Sequence, residues 1–183
     1  MYSELKFKSV DLYKNTQYGQ LHKDHTLRKE TLNKLSSFFD MTDTISFFNY
    51  KRKELISVII PEHKTTYADK LFDSCASLEK IILSKNTKML SEWMFFGCTK
   101  LKNISLPDTL TEIHKFAFAG CSNLEKIDLP DNISYIGLYA FCNCKNLKYI
   151  TFKGKKYTNP DEFNKMLNDN GYTVFTEKTD SVW

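Results

Sequence analysis

Apolar residues recur every 23 positions through the middle of the chain. Each copy reads leucine, two variable residues, isoleucine, one variable residue and leucine, as in 101–106. This pattern predicts one short β-strand per copy. Pro107 and Pro130 end two of these runs, because proline has no N–H for a sheet hydrogen bond. The columns are Leu78, Leu101, Leu124 and Leu147; Ile81, Ile104, Ile127 and Ile150; and Leu83, Leu106, Leu129 and Phe152, with an earlier copy at Leu55, Val58 and Ile60.

Between the strands the apolar spacing changes to a helical period, as in Ile113, Ala117 and Phe118. Gly97 and Gly120 stand where a helical turn needs a left-handed residue to stop. Each repeat is therefore predicted to contain a strand, a turn, a short helical turn and a second turn. A further apolar column runs through these turns and consists of Phe72, Phe95, Phe118 and Phe141.

A unit of this size cannot bury its apolar face alone, so neighbouring copies must stack into one continuous core. The runs 101–107, 113–121 and 136–141 resemble the BspA-like class of leucine-rich repeats, and the resemblance covers residues 54–153. It implies an α/β repeat fold: a right-handed solenoid with a parallel β-sheet on its concave face and short helical turns on its convex face. Members are mostly surface and adhesion proteins that bind other proteins.

Four of the five cysteines, Cys75, Cys98, Cys121 and Cys144, share the 23-residue interval. Their equivalent position in successive repeats predicts buried, reduced side chains. Zinc binding by this column is an alternative, although the close paired spacing of zinc sites is missing. Cys142 is predicted to be a half-exposed free thiol, with a redox pair in Cys142 and Cys144 as the other interpretation.

The flanks are predicted to cap the repeats, so the chain divides into 1–52, 53–153 and 154–183. Residues 26–39 have the pattern of an amphipathic helix, and the amino-terminal flank is either a helical cap or a degenerate repeat. In the carboxy-terminal flank, Asn159 and Pro160 predict a helix start and Gly171 its end. Tyr172 to Phe175 is expected to form a strand that pairs near Phe152 or Tyr157.

Two surfaces are candidates for partner binding. The first is the strand face, formed by the outward positions of the repeat strands and expected on the concave side. Its mixed charge with scattered apolar residues suits a protein partner, although a merely solvated sheet face is the alternative. The candidate residues on the strand face are Lys80, Ile82, Lys102, Asn103, Lys126, Asp128, Lys148 and Tyr149.

The second candidate is the aromatic ridge, formed by Trp93, Phe116 and Tyr139 on the convex side. Three consecutive repeats carry an aromatic residue at this position, and Lys70 occupies it in the copy before them. Exposed rings in a row anchor interfaces. The alternative is that the rings pack between the turns and complete the core.

Catalysis, metal binding and cofactor binding have little support in the sequence. The histidines, His22, His25, His63 and His114, form no recognisable catalytic or metal-binding constellation, although His22 and His25 with Asp24 allow a metal-site alternative. The glycines serve mainly turns, and a Gly-rich phosphate loop is absent. The net charge of +4 is not concentrated in a basic tail, so nucleic acid is expected to bind only weakly and non-specifically or through a partner.

We therefore predict a non-catalytic, protein-binding interaction module. Residues 1–10 lack the apolar run of a signal peptide, and the chain has no stretch of membrane-spanning length, so a cytoplasmic location is expected. One alternative is a phage-type inhibitor of a host nucleic-acid machine such as a CRISPR defence nuclease. Another is a fragment of a bacterial surface adhesin. The partner and the oligomeric state do not follow from the sequence.

Overall fold

The computed structural model describes residues 4–7, 55–60, 62, 64–173 and 180–183, with the backbone alone for 4–7. Within these residues the chain forms nine short strands and one helix. The strands are β1 (Glu4–Phe7), β2 (Leu55–Ile59), β3 (Lys80–Ile82), β4 (Met89–Leu90), β5 (Glu112–Ile113), β6 (Lys126–Asp128), β7 (Tyr135–Ile136), β8 (Tyr149–Phe152) and β9 (Lys155–Tyr157), and the helix is α1 (Pro160–Asp169).

The strands pair in steps of one repeat. β2 pairs with β3, β4 with β5, β5 with β7, and β6 with β8, and all four pairs are parallel. In each pair the facing residues are 23 positions apart, as in Val58 and Ile81 or Ile127 and Ile150. The parallel strands follow the predicted interval and belong to two sides of the stack, with β2, β3, β6 and β8 on one and β4, β5 and β7 on the other.

The core consists of the predicted columns. Leu78, Leu101, Leu124 and Leu147 are buried, and so are the four phenylalanines of the turn column. The rings of that column stack at nearly constant centroid distances of 5.6, 5.3 and 5.5 Å from Phe72 to Phe141. Successive repeats therefore present the same side chains to one another, which keeps the stack in register.

The predicted helical turns are not confirmed. The segments that follow β4, β5 and β7 are successive turns in which alternate N–H groups bond to the carbonyl three residues back, and the structure has α1 as the single helix among its described residues. The physical reason is the backbone at Lys70, Trp93, Phe116 and Tyr139, where φ lies between 59° and 62°. A left-handed residue in each repeat interrupts a right-handed helix after less than one turn. The intervening N–H groups bond to the next repeat, as from Phe95 to the Ala117 carbonyl at 2.7 Å.

The cysteine column is a ladder of buried thiols. Cys98, Cys121 and Cys144 donate through Sγ to the carbonyls of Phe72, Phe95 and Phe118, at 3.1 to 3.2 Å. Burial raises the pKa of Cys98 and Cys121 well above the usual range and that of Cys144 to about 12. All five cysteines are reduced rather than joined in disulfides, and Cys142 is the half-buried one. The thiols of Cys98, Cys121 and Cys144 therefore stay protonated near neutral pH, and each links its repeat to the preceding one.

The carboxy-terminal segments take the place of a further repeat at the end of the stack. β9 pairs antiparallel with β8, and the Tyr172 carbonyl accepts from the Ile136 N–H at 2.9 Å. The carbonyls of Ser181 and Val182 accept from Tyr139 and Phe141. The carboxy-terminal segments thus give the last repeat backbone hydrogen-bond partners where an inner repeat has them from the next repeat.

Helix α1 begins as its sequence predicts. The Asn159 side chain accepts from the backbone N–H groups of Asp161 and Glu162 at 2.8 and 3.4 Å, and Pro160 occupies the first helical position. Residues 172 and 173 form no strand, and the rest of the predicted strand at 172–175 lies outside the described residues.

At the amino-terminal end, β1 pairs antiparallel with β2, with Leu5 opposite Val58. The sequence pattern did not predict this strand. The expected helix at 26–39 lies outside the described residues. The division into 1–52, 53–153 and 154–183 stays a prediction.

Candidate partner-binding surfaces

The strand face is solvent-exposed, as its candidate residues require. Lys80, Ile82, Lys102, Asn103, Lys126, Asp128 and Lys148 are exposed, and Tyr149 is half-buried. Ile82 is the unusual member, because 41% of this apolar residue is exposed. Among the described residues one other large apolar side chain reaches comparable exposure, Tyr135 at 40%, and it lies on the sheet formed by β4, β5 and β7.

Counted from the copy at Leu55, the third repeat contains residues 101–107. The sheet of the strand face is interrupted there. β3 ends one sheet and β6 begins another, and residues 101–107 between them form no strand. The Glu79 N–H bonds to the Ile56 carbonyl at 2.8 Å, and the equivalent bond recurs one repeat apart from Glu125 and from Lys148. The bond from Lys102 to Glu79 that would complete this series is missing from the described backbone.

Hydrogen bonds at the other end of the strand show the same interruption. The Ile60 N–H bonds to the Ile82 carbonyl, and the Leu129 N–H bonds to the Thr151 carbonyl, each at 2.8 Å. The equivalent bonds from Leu83 and from Leu106 are not formed in the described structure. The backbone of residues 103–106 therefore lies outside the hydrogen-bonded ladder, and β3 and β6 each expose an edge toward it.

Side chains in this stretch are correspondingly less buried than the repeat pattern predicts. Ile104 is half-buried although Ile81, Ile127 and Ile150 in its column are buried, and Leu106 is half-buried beside a buried Leu129. The expectation that Ile104 is a fully buried column residue is wrong. In this stretch without a strand, part of both side chains is in contact with solvent.

A groove of about 1010 Å³ opens at the interruption. It is lined by apolar side chains from β3 and the third repeat and by charged side chains from three repeats. Six of the eight candidate residues of the strand face line it. The lining residues are Glu79, Lys80, Ile81, Ile82, Lys100, Lys102, Asn103, Ile104, Ser105, Leu106, Asn123, Lys126 and Asp128.

The groove carries positive charge, with four lysines against two carboxylates. Both carboxylates are already paired: Lys126 lies 3.1 Å from Asp128, and Lys100 lies 3.6 Å from Glu79. The hydrogen bond from Lys126 lowers the pKa of Asp128, and the same contact raises the pKa of Lys126. Lys80 has no ion pair within the described part of the chain.

The surroundings of the groove lysine Lys102 include a carboxylate outside the groove, that of Glu125. Lys102 lies near Glu125, whose pKa is lowered chiefly by the hydrogen bond that Lys148 donates to it. That bond measures 3.0 Å. Lys102 adds a weaker Coulombic attraction to the same carboxylate and forms no ion pair of its own among the described residues.

Lys148 and Tyr149 lie outside the groove. Lys148 pairs with Glu125, and the Lys156 ammonium sits 3.7 Å from the centre of the Tyr149 ring. The structure therefore brings together the candidates of the second, third and fourth repeats and separates those of the fifth. Sequence reasoning missed the contribution of Ile104 and Leu106, because both occupy columns that are buried in the other repeats.

The aromatic ridge forms a continuous stack. Trp93 stacks on Phe116 with ring centroids 4.1 Å apart, and Phe116 stacks on Tyr139 at 5.1 Å. The Lys70 ammonium lies 5.8 Å from the Trp93 ring centre, and the Tyr139 hydroxyl donates to Asp180 at 3.0 Å. All three rings are half-buried. The stack is thus partly covered by its own members and by residues at both ends.

The histidines and acidic residues do not gather into a metal site in the part of the chain that the structure describes. No group of three or more histidine, cysteine or acidic residues there is placed to hold a metal ion. His114 lies 2.9 Å from Glu112 and packs edge-on against Tyr135. His22, His25 and His63 lie outside the described residues. None of the described helices is long and apolar enough to cross a membrane.

Parallel strands stacked at a 23-residue interval over columns of leucine, isoleucine and phenylalanine define a leucine-rich repeat protein. The model of the BspA type leucine-rich repeat region matches residues 43–168 in six copies, and the chain belongs to that family. The predicted resemblance is confirmed. The matched region extends beyond 53–153 on both sides.

Solved structures support the same fold. A leucine-rich repeat protein from Bacteroides ovatus is 32% identical, with a TM-score of 0.52 over 54% of this chain and 26% of its own. A leucine rich cell surface protein from Faecalibacterium prausnitzii is 36% identical, with a TM-score of 0.54 over 56% of this chain and 27% of its own. The chain thus spans about a quarter of each of these structures. Comparison with curated proteins gives no match.

Proposed function

We propose that this chain is a non-catalytic interaction module that binds a protein partner in the groove of the strand face. The observation that carries the proposal is the interruption of the sheet at the third repeat. It leaves Ile82 exposed and Ile104 and Leu106 half-buried inside a groove of about 1010 Å³. Apolar side chains gathered in a concavity with a charged rim are the usual anatomy of a protein-binding site.

The composition of the groove favours protein over nucleic acid. A nucleic-acid groove presents positive charge to the phosphate backbone, whereas here Glu79 and Asp128 lie among the lysines. The exposed side chain at the centre is Ile82, an aliphatic residue that offers no flat ring on which a base stacks. Nucleic acid is therefore expected to bind weakly and to dissociate as the salt concentration rises.

The groove is a better candidate than the aromatic ridge. Each ring of the ridge is already half-buried against a neighbouring ring, so a partner would gain less new apolar contact there. Ring stacking along the repeats stabilises the fold, and this contribution to stability explains the aromatic residues at these positions. The Trp93, Phe116 and Tyr139 positions are thus proposed mainly as packing residues.

Of the two alternative functions, the surface adhesin is the one that a comparison supports. One similar solved structure is a leucine rich cell surface protein, and this chain corresponds to about a quarter of it. The proposed binding module is compatible with recognition at a cell surface as part of a longer protein. The inhibitor of a nucleic-acid machine and the cytoplasmic location rest on sequence features alone.

Affinity capture with matched variants tests the proposal. The immobilised chain is incubated with lysate and with surface extract of the source cells, at high salt and after nuclease treatment. We expect Ile82→Asp to lose a protein partner that the wild type retains, because the charge enters the apolar centre of the groove. Tyr135→Asp is the control, because Tyr135 has nearly the same exposure outside the groove.

Circular dichroism establishes that both variants are folded. A partner retained by Ile82→Asp but lost from the variant with alanine at Trp93, Phe116 and Tyr139 would move the site to the aromatic ridge. Recovery of nucleic acid alone would contradict a protein-binding function.

A further inference from the structure

We infer that the groove at the sheet interruption takes an extended peptide segment of the partner, with one apolar side chain flanked by acidic residues. This inference rests on the proposed function and adds the chemistry of the ligand. Three separate features of the groove support it: unpaired main-chain groups, an apolar floor and unneutralised lysines.

The unpaired main-chain groups beside the groove favour an extended ligand. β3 and β6 are edge strands, and the bonds expected from Lys102 to Glu79 and from Leu83 to Ser105 are not formed in the described structure. Exposed strand edges bind extended peptides through main-chain hydrogen bonds, and such bonds do not depend on the sequence of the peptide. A helix or a folded loop satisfies its own backbone groups and gains nothing from these donors and acceptors.

The apolar floor calls for one aliphatic side chain in the segment. Ile82, Ile104 and Leu106 come from two successive repeats and face the same groove. Their exposed surface is small and is bordered by charged residues, so it accommodates a single anchor rather than an apolar helix face. Along an extended peptide alternate side chains point the same way, which leaves the residues beside the anchor free to contact the rim.

The lysines at the rim favour negative charge on the peptide residues that flank the apolar anchor. Lys126 and Lys100 are paired with Asp128 and Glu79, which leaves Lys80 and Lys102 as the cations that a ligand can neutralise. They belong to adjacent repeats and are both exposed. Carboxylates of a bound peptide form charge-assisted hydrogen bonds with lysine ammonium groups, while basic flanks meet like charge.

A peptide array tests the inference with defined probes. Nine-residue peptides carry isoleucine, leucine or valine between pairs of glutamates. Matched peptides carry lysines in place of the glutamates, or serine in place of the apolar residue. The full chain is applied to the array, and the peptides that bind are then measured in solution by fluorescence polarisation. A single-stranded oligonucleotide serves as a competing polyanion.

The expected result is binding to the acidic apolar peptides and at least tenfold weaker binding to both matched sets. The double substitution of Lys80→Glu with Lys102→Glu should weaken binding at least tenfold. Lys145→Glu is the matched control, since Lys145 is an exposed lysine that does not line the groove.

The remaining outcomes separate this inference from the proposed function. If the peptides with lysine flanks bind as tightly and Ile82→Asp abolishes that binding, the groove is a peptide site and the acidic chemistry is wrong. If no peptide binds, or if the oligonucleotide displaces every peptide in proportion to its charge, the extended acidic ligand is overturned. If binding occurs but resists both groove variants, the proposed function falls with it.

Discussion

The indole of Trp93 stacks on the phenyl ring of Phe116 with centroids 4.1 Å apart, while both residues have a left-handed backbone with φ near 60°. The left-handed conformation costs a residue with a Cβ roughly 1–2 kcal/mol. Stacked aromatic pairs contribute about 0.5–1.5 kcal/mol beyond the burial of their area. Ring stacking therefore offsets the backbone strain at the three aromatic members of this left-handed column.

Substitution of Phe116 by glycine and by alanine separates strain from stacking. Both variants lose the ring, but glycine adopts a positive φ without steric cost. We expect the glycine variant to be more stable than the alanine variant by about 1 kcal/mol in urea denaturation. Lys115 is the control, because its φ is not positive and the usual order, alanine above glycine, should hold there. An alanine variant at 116 at least as stable as the glycine variant would contradict the strain.

The left-handed turns illustrate what the sequence pattern does not determine. The spacing of Ile113, Ala117 and Phe118 fits one helical turn, and it also fits two successive tight turns that bury the same three side chains. Periodicity reports which residues are buried and not the sign of φ. Glycine would have indicated the left-handed position, but this chain places lysine and aromatic residues there.

The leucine, isoleucine, phenylalanine and cysteine columns were predictable because each repeat confirms the next. The groove was not predictable, because the repeat pattern continues through it without a change. Residues 101–106 follow the repeat pattern as well as their neighbours do, and the interruption is a failure of hydrogen bonding between repeats. Asn103, a residue type depleted in strands, followed by Pro107 is the nearest local signal. The candidate lysines were identified from their positions in the sequence alone. Which of them form ion pairs could be learned only from the contacts in the structure.

Gly137 marks the closest approach between two repeats. A Cβ at this position would lie 2.4 Å from the Lys115 backbone nitrogen and 2.8 Å from the His114 carbonyl carbon. We expect Gly137→Ala to cost about 1–3 kcal/mol or more, because backbone atoms of the neighbouring turn must move. Thermal and urea unfolding measure the loss.

Gly154→Ala is the control for the Gly137 substitution. Nothing lies within 4 Å of a Cβ at 154, and φ is 73°, so its cost should be limited to about 1–2 kcal/mol of backbone strain. A Gly137→Ala variant that loses less stability than Gly154→Ala would show that the turn at Lys115 moves readily.

Two isoleucines of one column should differ in their contribution to stability. Ile127 is fully buried on β6, which is hydrogen-bonded to β8, whereas Ile104 is half-buried beside the groove. We expect Ile127→Ala to cost about 2–5 kcal/mol and Ile104→Ala about half as much, because less apolar area returns to water. Equal losses in urea denaturation would mean that Ile104 is buried as the repeat pattern predicts.

The five thiols should react with an alkylating agent in two classes. Cys142 is half-buried, while Cys75, Cys98, Cys121 and Cys144 are buried. We expect iodoacetamide at pH 8 to add one group to the native protein and five groups to the protein in urea, as counted by mass spectrometry. Rapid modification of a second cysteine in the native protein would contradict the closed packing of the cysteine column.

Burial of the Cys144 thiol gives it a defined effect on alkaline stability. An unfolded cysteine ionises at a pKa of about 8.5, whereas burial raises the pKa of Cys144 to about 12 in the folded protein. Below pH 8.5 both states keep the proton, and the thiol contributes no pH dependence. Between pH 8.5 and 12 the unfolded state releases the proton and the folded state does not, so stability falls as the pH rises. We expect wild type to lose about 2 kcal/mol relative to Cys144→Ala between pH 8 and 10, at about 1.4 kcal/mol per pH unit above 8.5. A constant difference between the two proteins across this range would show that the folded thiol ionises as readily as the unfolded one.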